Sequence, residues 1–199
     1  TKTIRREDFT HNVYSMNEDS EGNLWLGMRG TGLRIGADKW YKNNSKDPNS
    51  LSNDQVFSIY RDRKGRMWLG TFGGGLNLAV KTKDGYQFRH FLQDNYGEKR
   101  IRVIEEDKNG RMWVGTNNGI YIFHPDSLIA SPENYIIYNH VNGTFPNNEI
   151  RCLMNDHEGN MWIGTAGAGF AVCQPEGDYQ HLTFNCYDIK DGLSNAVVQ

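Results

Sequence analysis

The sequence has little of what would make its chemistry easy to read. Cysteine is scarce: Cys152, Cys173 and Cys186 are the only three in 199 residues. None forms a C-x-x-C pair or a cluster with histidine, so a zinc site is not expected, and three are too few for a disulfide framework. Cys173 and Cys186 fall on neighbouring expected strands. Two strand cysteines rarely meet the Cα separation of about 4.4–6.8 Å that a bridge needs, so free thiols are expected. The six histidines (His11, His90, His124, His140, His157, His181) are scattered without ligand spacing, so no metal is expected. Neither charge dominates: 22 Lys and Arg stand against 24 Asp and Glu, interspersed, for a net charge of −2. No basic run can track a phosphate backbone, which argues against nucleic acid as a partner. Long apolar runs are missing, so no segment reads as a membrane-spanning helix, and no direct membrane contact is expected. A sustained helical period is missing too. No nucleophile–base pair or carboxylate pair has a recognisable spacing, so no catalytic activity is expected of the chain. The glycine-rich runs "GTGLRIG" and "GGGL" follow expected strands but open no helix, so they are not read as phosphate loops, and no cofactor is expected.

What the chain does have is glycine in a rhythm, 22 residues against a usual share of about 7%. Four segments repeat one pattern: "EDSEGNLWLGMRGTGL" (18–33), "RDRKGRMWLGTFGGGL" (61–76), "EDKNGRMWVGTNNGIY" (106–121) and "NDHEGNMWIGTAGAGF" (155–170). Their tryptophans, Trp25, Trp68, Trp113 and Trp162, are spaced by 43, 45 and 49 residues. That period suits a four-stranded propeller blade. Each unit parses as a strand A, an Asp-x-x-Gly turn, a strand B holding the tryptophan, a glycine-rich bend, a strand C and a more polar strand D. The turns are Asp19–Gly22, Asp62–Gly65, Asp107–Gly110 and Asp156–Gly159. There the aspartate side chain can accept from backbone two residues on, and the glycine eases the exit. Four strands cannot bury two apolar faces alone. Stacking units radially does so, with the tryptophan filling the wedge between neighbours. The expected fold is all-β: a β-propeller of four consecutive four-stranded antiparallel blades at about 10–48, 51–94, 98–141 and 147–190, with no helix inside those spans. The Asp, Gly and Trp positions read as scaffold. Trp40 lies outside the repeat frame, on an outer strand.

The pattern V/I-x-x-I-x-x-D-x-x-G-x-x-W-x-G-T-x-x-G-G-L resembles the two-component regulator propeller repeat. "LSNDQVFSIYRDRKGRMWLGTFGGGL" (51–76) is nearly an ideal copy; the others depart at Met28, Asn118 and Phe170. The resemblance implies seven-bladed propellers in the periplasmic sensor region of hybrid two-component histidine kinases of carbohydrate-degrading bacteria. It implies an oligosaccharide ligand and a kinase output carried elsewhere in a parent chain. On this reading "KTIRRED" (2–8) is the outer strand of an earlier blade. "GLSNAVVQ" (192–199), which matches the lead-in at 51–56, is the inner strand of a later one. The remaining blades of the parent chain are then expected partners, as is self-association through open end blades. The D-x-x-G-x-x-W element also resembles the Asp box of sialidases, where it is structural; no arginine triad or Tyr/Glu pair is grouped here to support that activity.

Connectivity alone says where a ligand would sit. In an antiparallel meander the A–B turns decorate one face, and the B–C bends and D–A lead-ins decorate the other. Loops on a rigid scaffold carry function. On that second face the candidates are Arg29, Asn53, Asp54, Phe72, Arg100, Asn117, Asn118, Asn148 and Glu149, a set suited to hydrogen bonding and stacking on a sugar. Two readings stay open, a ligand-sensing module and a structural or protein-docking segment. The triplets Asn43-Asn44-Ser45 and Asn142-Gly143-Thr144 read as loop composition.

Overall fold

The aspartate turn is the local device from which each sheet grows. In all four copies Asp Oδ1 accepts from the backbone N–H two residues on at 2.9–3.0 Å. It also accepts from the N–H four residues on at 2.9–3.0 Å. Oδ2 accepts from the indole Nε1–H of the tryptophan six residues on at 2.8–2.9 Å. The turn glycines hold φ of 78–83°, a region that other residues enter only with strain. Burying a carboxylate is costly unless its oxygens are satisfied. Here they are: burial pushes the Asp19 carboxyl up, but Trp25, Asn23 and two backbone amides outweigh it and hold it below the ordinary value. The Trp162 indole and Asn160 hold Asp156 well below it.

The computed structural model describes residues 12–93, 100–141 and 145–199. The first blade holds β1 (Val13–Glu18), β2 (Leu24–Met28), β3 (Leu33–Ile35) and β4 (Lys39–Tyr41). The second holds β5 (Val56–Arg61), β6 (Met67–Thr71), β7 (Gly75–Lys81) and β8 (Tyr86–Phe91). The third holds β9 (Val103–Glu106), β10 (Met112–Thr116), β11 (Gly119–Phe123) and β12 (Ile136–Tyr138). The fourth holds β13 (Ile150–Asn155), β14 (Met161–Thr165), β15 (Phe170–Cys173) and β16 (Asn185–Tyr187). Each is an antiparallel meander in sequence order. The innermost strands of successive blades touch, β1 with β5, β5 with β9 and β9 with β13.

The apolar core is divided among the three seams. Trp25 packs edge-on against Tyr86 of the next blade at 4.8 Å, Trp68 meets Phe123 at 6.1 Å and Trp113 meets Tyr179 at 6.5 Å. These three tryptophans are 0% exposed. The W-x-G glycine allows the seam to close: a Cβ at Gly27 would lie 2.7 Å from the Val56 carbonyl oxygen, and one at Gly115 would lie 2.7 Å from Ile150 Cγ2. On the aspartate-turn face the first three turns also pair with the end of strand C or the C–D connection of the following blade. Glu21 meets Lys81, Lys64 meets Asp126 at 2.5 Å, and Lys108 meets Glu176 at 2.8 Å.

Three features differ from the sequence reading. A six-residue helix, α1 (Pro125–Ala130), lies in the C–D connection of the third blade, where no helix is expected. It is too short for a 3.6-residue period to show, although Pro at its first position is a start signal. It buries Leu128 and carries Asp126 to Lys64 and Arg66. Trp162, read as a wedge, keeps its bond to Asp156 but is 36% exposed, because no following blade covers it. Residues 192–199 form no strand, yet they dock as the other lead-ins do. Gly169 N–H donates to Ala196 O at 2.8 Å, as Gly32 donates to Asp54 O, and Val198 N–H donates to Thr165 O at 3.0 Å, as Ile101 donates to Thr71 O. The segment lacks a partner strand with which to form a ladder. Residues 2–8, His11 and the triplet 142–144 lie outside the described residues. The three cysteines are free; Cys186 faces Ala171 and Cys173 faces Met161, so the two do not oppose each other.

Trp68→Ala or Trp113→Ala should cost about 3–5 kcal/mol in chemical denaturation, whereas Trp40→Ala, on an exposed outer strand, should cost about 1 kcal/mol or less. Equal losses at Trp40 and Trp68 would contradict the wedge role. Acid should weaken the fold through the aspartate turns. Asp19 and Asp156 titrate lower folded than unfolded, so their contribution is complete above the unfolded value of about 4 and is lost as pH falls through the folded values. Melting temperatures between neutral pH and about pH 3 should drop mainly below about pH 4, and Asp19→Asn should flatten that slope.

Candidate functional site

Where the A strands begin, on the face opposite the aspartate turns, the sheet register slips. The A–B pairing shifts between Val13 and Ser15, between Val56 and Ser58, and between Ile150 and Cys152. The extra residues are Tyr14, Phe57 and Arg151. Arg102 takes the same place in the third blade, its N–H donating to Gly115 O at 3.0 Å beside the Val103–Gly115 pair. A bulge re-aims its side chain, and these four form the inner rim of a continuous stripe. Arg29 lies 5.8 Å over the Tyr14 ring, and Tyr14 meets Phe57 edge-on at 4.4 Å. Phe57 stacks on Phe72 at 4.7 Å, and Arg100 and Arg102 lie over Phe72 at 4.7 and 5.1 Å. Arg102 donates to Asn117 Oδ1 at 3.3 Å and to Glu149 Oε1 at 2.9 Å. Glu149 Oε1 also meets Arg151 at 2.8 Å.

Five of the nine residues singled out from sequence therefore lie along one stripe: Arg29, Phe72, Arg100, Asn117 and Glu149. The other four support backbone, Asp54 and Asn148 across the seams and Asn53 and Asn118 within their own loops. Asn53 Oδ1 accepts from Gln55 N–H at 2.8 Å. Asp54 Oδ1 accepts from Asn43 N–H at 2.6 Å, and its carbonyl accepts from Gly30 and Gly32. Asn148 Oδ1 accepts from His140 N–H at 2.6 Å, and its carbonyl accepts from Gly119. Asn118 N–H donates to Thr116 Oγ1 at 2.9 Å. Sequence reasoning missed Tyr14, Phe57, Arg102 and Arg151. The available signal was their frame position: each follows the apolar branched residue that opens strand A, and each is aromatic or arginine.

The stripe is strongly cationic. Two guanidiniums, Arg102 and Arg151, share the single Glu149 carboxylate. Burial, then the Arg151 charge, push the Arg102 guanidinium down from its ordinary value. Arg151 Nε is buried and has no hydrogen-bond partner among the described residues. Two cavities elsewhere lie between outer strands on the aspartate-turn side. One of about 510 Å³ is lined by Glu21, Lys39, Lys81 and Tyr86, and one of about 370 Å³ by Arg111, His124 and Tyr179. Among the described residues no cluster of His, Cys, Asp and Glu could hold a metal, and no helix is long and apolar enough to cross a membrane.

Four radially stacked meanders, each pinned by a D-x-x-G-x-x-W turn and presenting loops around a common axis, define a β-propeller of the aspartate-turn type. The chain belongs to the two-component regulator propeller family, whose model matches residues 9–30, 50–73, 95–118 and 144–167. No curated protein matches the chain in sequence. Among solved structures it resembles the extracellular domain of a protein assigned as a hybrid two-component system of B. thetaiotaomicron. The identity is 23% and the TM-score 0.75, over 99% of this chain and 25% of that one. It also resembles PorZ, a surface component of the type-IX secretion system of Porphyromonas gingivalis. There the identity is 16% and the TM-score 0.67, over 94% of this chain and 28% of that one. A third likeness is to virginiamycin B lyase of Staphylococcus aureus, 13% identical with a TM-score of 0.62, over 94% of this chain and 60% of that one. The chain thus spans a quarter of the length of the first relative. At these identities the likeness is one of fold.

Glu149→Gln leaves Arg102 and Arg151 without their shared counter-charge and should destabilise the protein by about 1 kcal/mol, a half-buried pair being worth little more. The loss should shrink in about 1 M salt. Urea denaturation at two ionic strengths measures both, and a loss that salt leaves unchanged would contradict the ion-pair account.

Proposed function

We propose that the chain is part of the extracytoplasmic, periplasmic sensor region of a hybrid two-component histidine kinase, that it responds to an oligosaccharide, and that it catalyses nothing itself. The observation that carries this reading is the axial stripe. Aromatic rings and hydrogen-bonding side chains from all four blades meet on the loop-bearing face, the usual composition of a sugar-binding surface. The family supports a signalling role, and the resemblance to the extracellular domain from B. thetaiotaomicron supports an extracytoplasmic one. The lyase among its structural relatives means that the fold does not decide between sensing and catalysis. The carboxylates favour sensing: each turn aspartate is committed to an indole and two amides, and Glu149 to two arginines.

A structural or docking role finds support in the ends of the array. Trp162 stacks on Phe170 at 5.4 Å, and Phe170 on Tyr187 at 5.0 Å, along an apolar face whose counterparts in the first three blades are covered. We read this face as the seat of the next blade of the parent chain, and the two roles are compatible. A glycan-library screen on the intact ectodomain, with reducing ends monitored, tests the proposal. At least one oligosaccharide class should bind without being cleaved. Absence of any glycan binding, or cleavage abolished by a single point mutation, would overturn it.

A further inference from the structure

We infer that the axial stripe takes an acidic saccharide, with a carboxylate or sulfate ester held between Arg102 and Arg151 and the sugar beside the edges of Phe57 and Phe72. This rests on the reading of the chain as an oligosaccharide sensor and narrows it to a chemical class.

Charge count is the first support. Arg102 and Arg151 both bond Glu149 Oε1, at 2.9 and 2.8 Å, so two cations share one oxygen of one anion. Planar guanidinium forks match carboxylate and sulfate oxygens in pairs, and here the donors outnumber the acceptor. Arg151 Nε is buried and unpaired among the described residues. Nε itself lies out of a ligand's reach; the exposed parts of the Arg102 and Arg151 side chains, 18% and 29%, are where an anion would meet them.

The second support is the position of the rings. Phe57 and Phe72 stack at 4.7 Å with an 18° tilt, and the Arg102 guanidinium lies 5.1 Å over Phe72. Phe57, Arg100 and Arg102 cover the faces of Phe72, so a saccharide would meet the ring edges, next to the Arg102 guanidinium. Local hydrogen bonds orient the polar end of the stripe: Asn117 accepts from Arg102 Nε at 3.3 Å, and Asn147 Oδ1 accepts from Glu149 N–H at 2.7 Å. A neutral sugar would leave the crowded cations as they are. An acidic one would relieve their repulsion, and that difference is what selects between the two.

Carboxylate and sulfate present the same acceptor chemistry, so three ligand sets separate them: oligogalacturonates, sulfated galactan oligosaccharides free of uronic acid, and neutral xylo- and malto-oligosaccharides. Calorimetry on the intact ectodomain should show one acidic set binding at least about tenfold more tightly than the neutral sets. Arg102→Gln and Arg151→Gln should each lower that affinity about tenfold. Glu149→Gln removes the competing negative charge and should raise it about threefold, a gain that a misfolded variant would not show. Neutral sugars binding as tightly as acidic ones would overturn the inference while leaving the sensor reading intact. Acidic binding indifferent to both arginine changes, or matched by inorganic polyphosphate, would overturn it as well. Binding by no saccharide in any set would overturn this inference, while the glycan-library screen decides the sensor reading on its own.

Discussion

Everything in this architecture hangs on the hydrogen bond from a tryptophan indole to the carboxylate six residues before it. One aspartate oxygen gathers the backbone of its own turn, and the other anchors a ring on strand B. The turn is thereby coupled to the seam. In the third seam the neighbour joins in: Tyr179 of the fourth blade donates to Asp107 Oδ2 at 2.6 Å, beside the Trp113 indole. A buried carboxylate so fully hydrogen-bonded is rarely an interchangeable part, since removing one donor leaves charge unsolvated. The spacing D-x-x-G-x-x-W is rigid for that reason.

The seams are joined twice, by different physics. Toward the axis and mid-sheet the contact is apolar and tight, with the glycine after each tryptophan leaving room for the branched residue that opens the next blade. At the rim it is ionic and exposed: Glu21 to Lys81 in the first seam, then, with the signs reversed, Lys64 to Asp126 and Lys108 to Glu176 in the second and third. Exposed pairs of this kind add little stability. The reversed order at the first seam would bring like charges together if its blades were matched with those of the other two.

Four copies of one pattern made the fold legible in the sequence. Turn, strand order and wedge could each be read from residues whose physical roles are narrow: an acid that accepts, a glycine that enters positive φ, a large aromatic that fills a gap. The short helix at Pro125 escaped because six residues cannot display a period. The exposure of Trp162 depends on a neighbour, which no local pattern records. Half of the stripe escaped for a different reason. Plain alternation gives no sign that Tyr14, Phe57 and Arg151 are redirected, since a bulge changes direction without changing composition. The loop residues Asn53, Asp54, Asn118 and Asn148 looked equally suited to ligand contact and to backbone support, and the hydrogen bonds they make are of the second kind.

The bulge separates two kinds of information carried by a single strand. The residue before it, Val56 or Ile150, is locked against the preceding glycine, and the residue after it pairs in the ladder. The displaced residue between them answers to neither. Its side chain can therefore change from tyrosine to phenylalanine to arginine from one blade to the next at little cost to folding. The array behaves like a row of type set in a fixed frame: one exchangeable character per blade, read in order around the axis. New recognition can be written into such a protein by single substitutions that leave every sheet as it was.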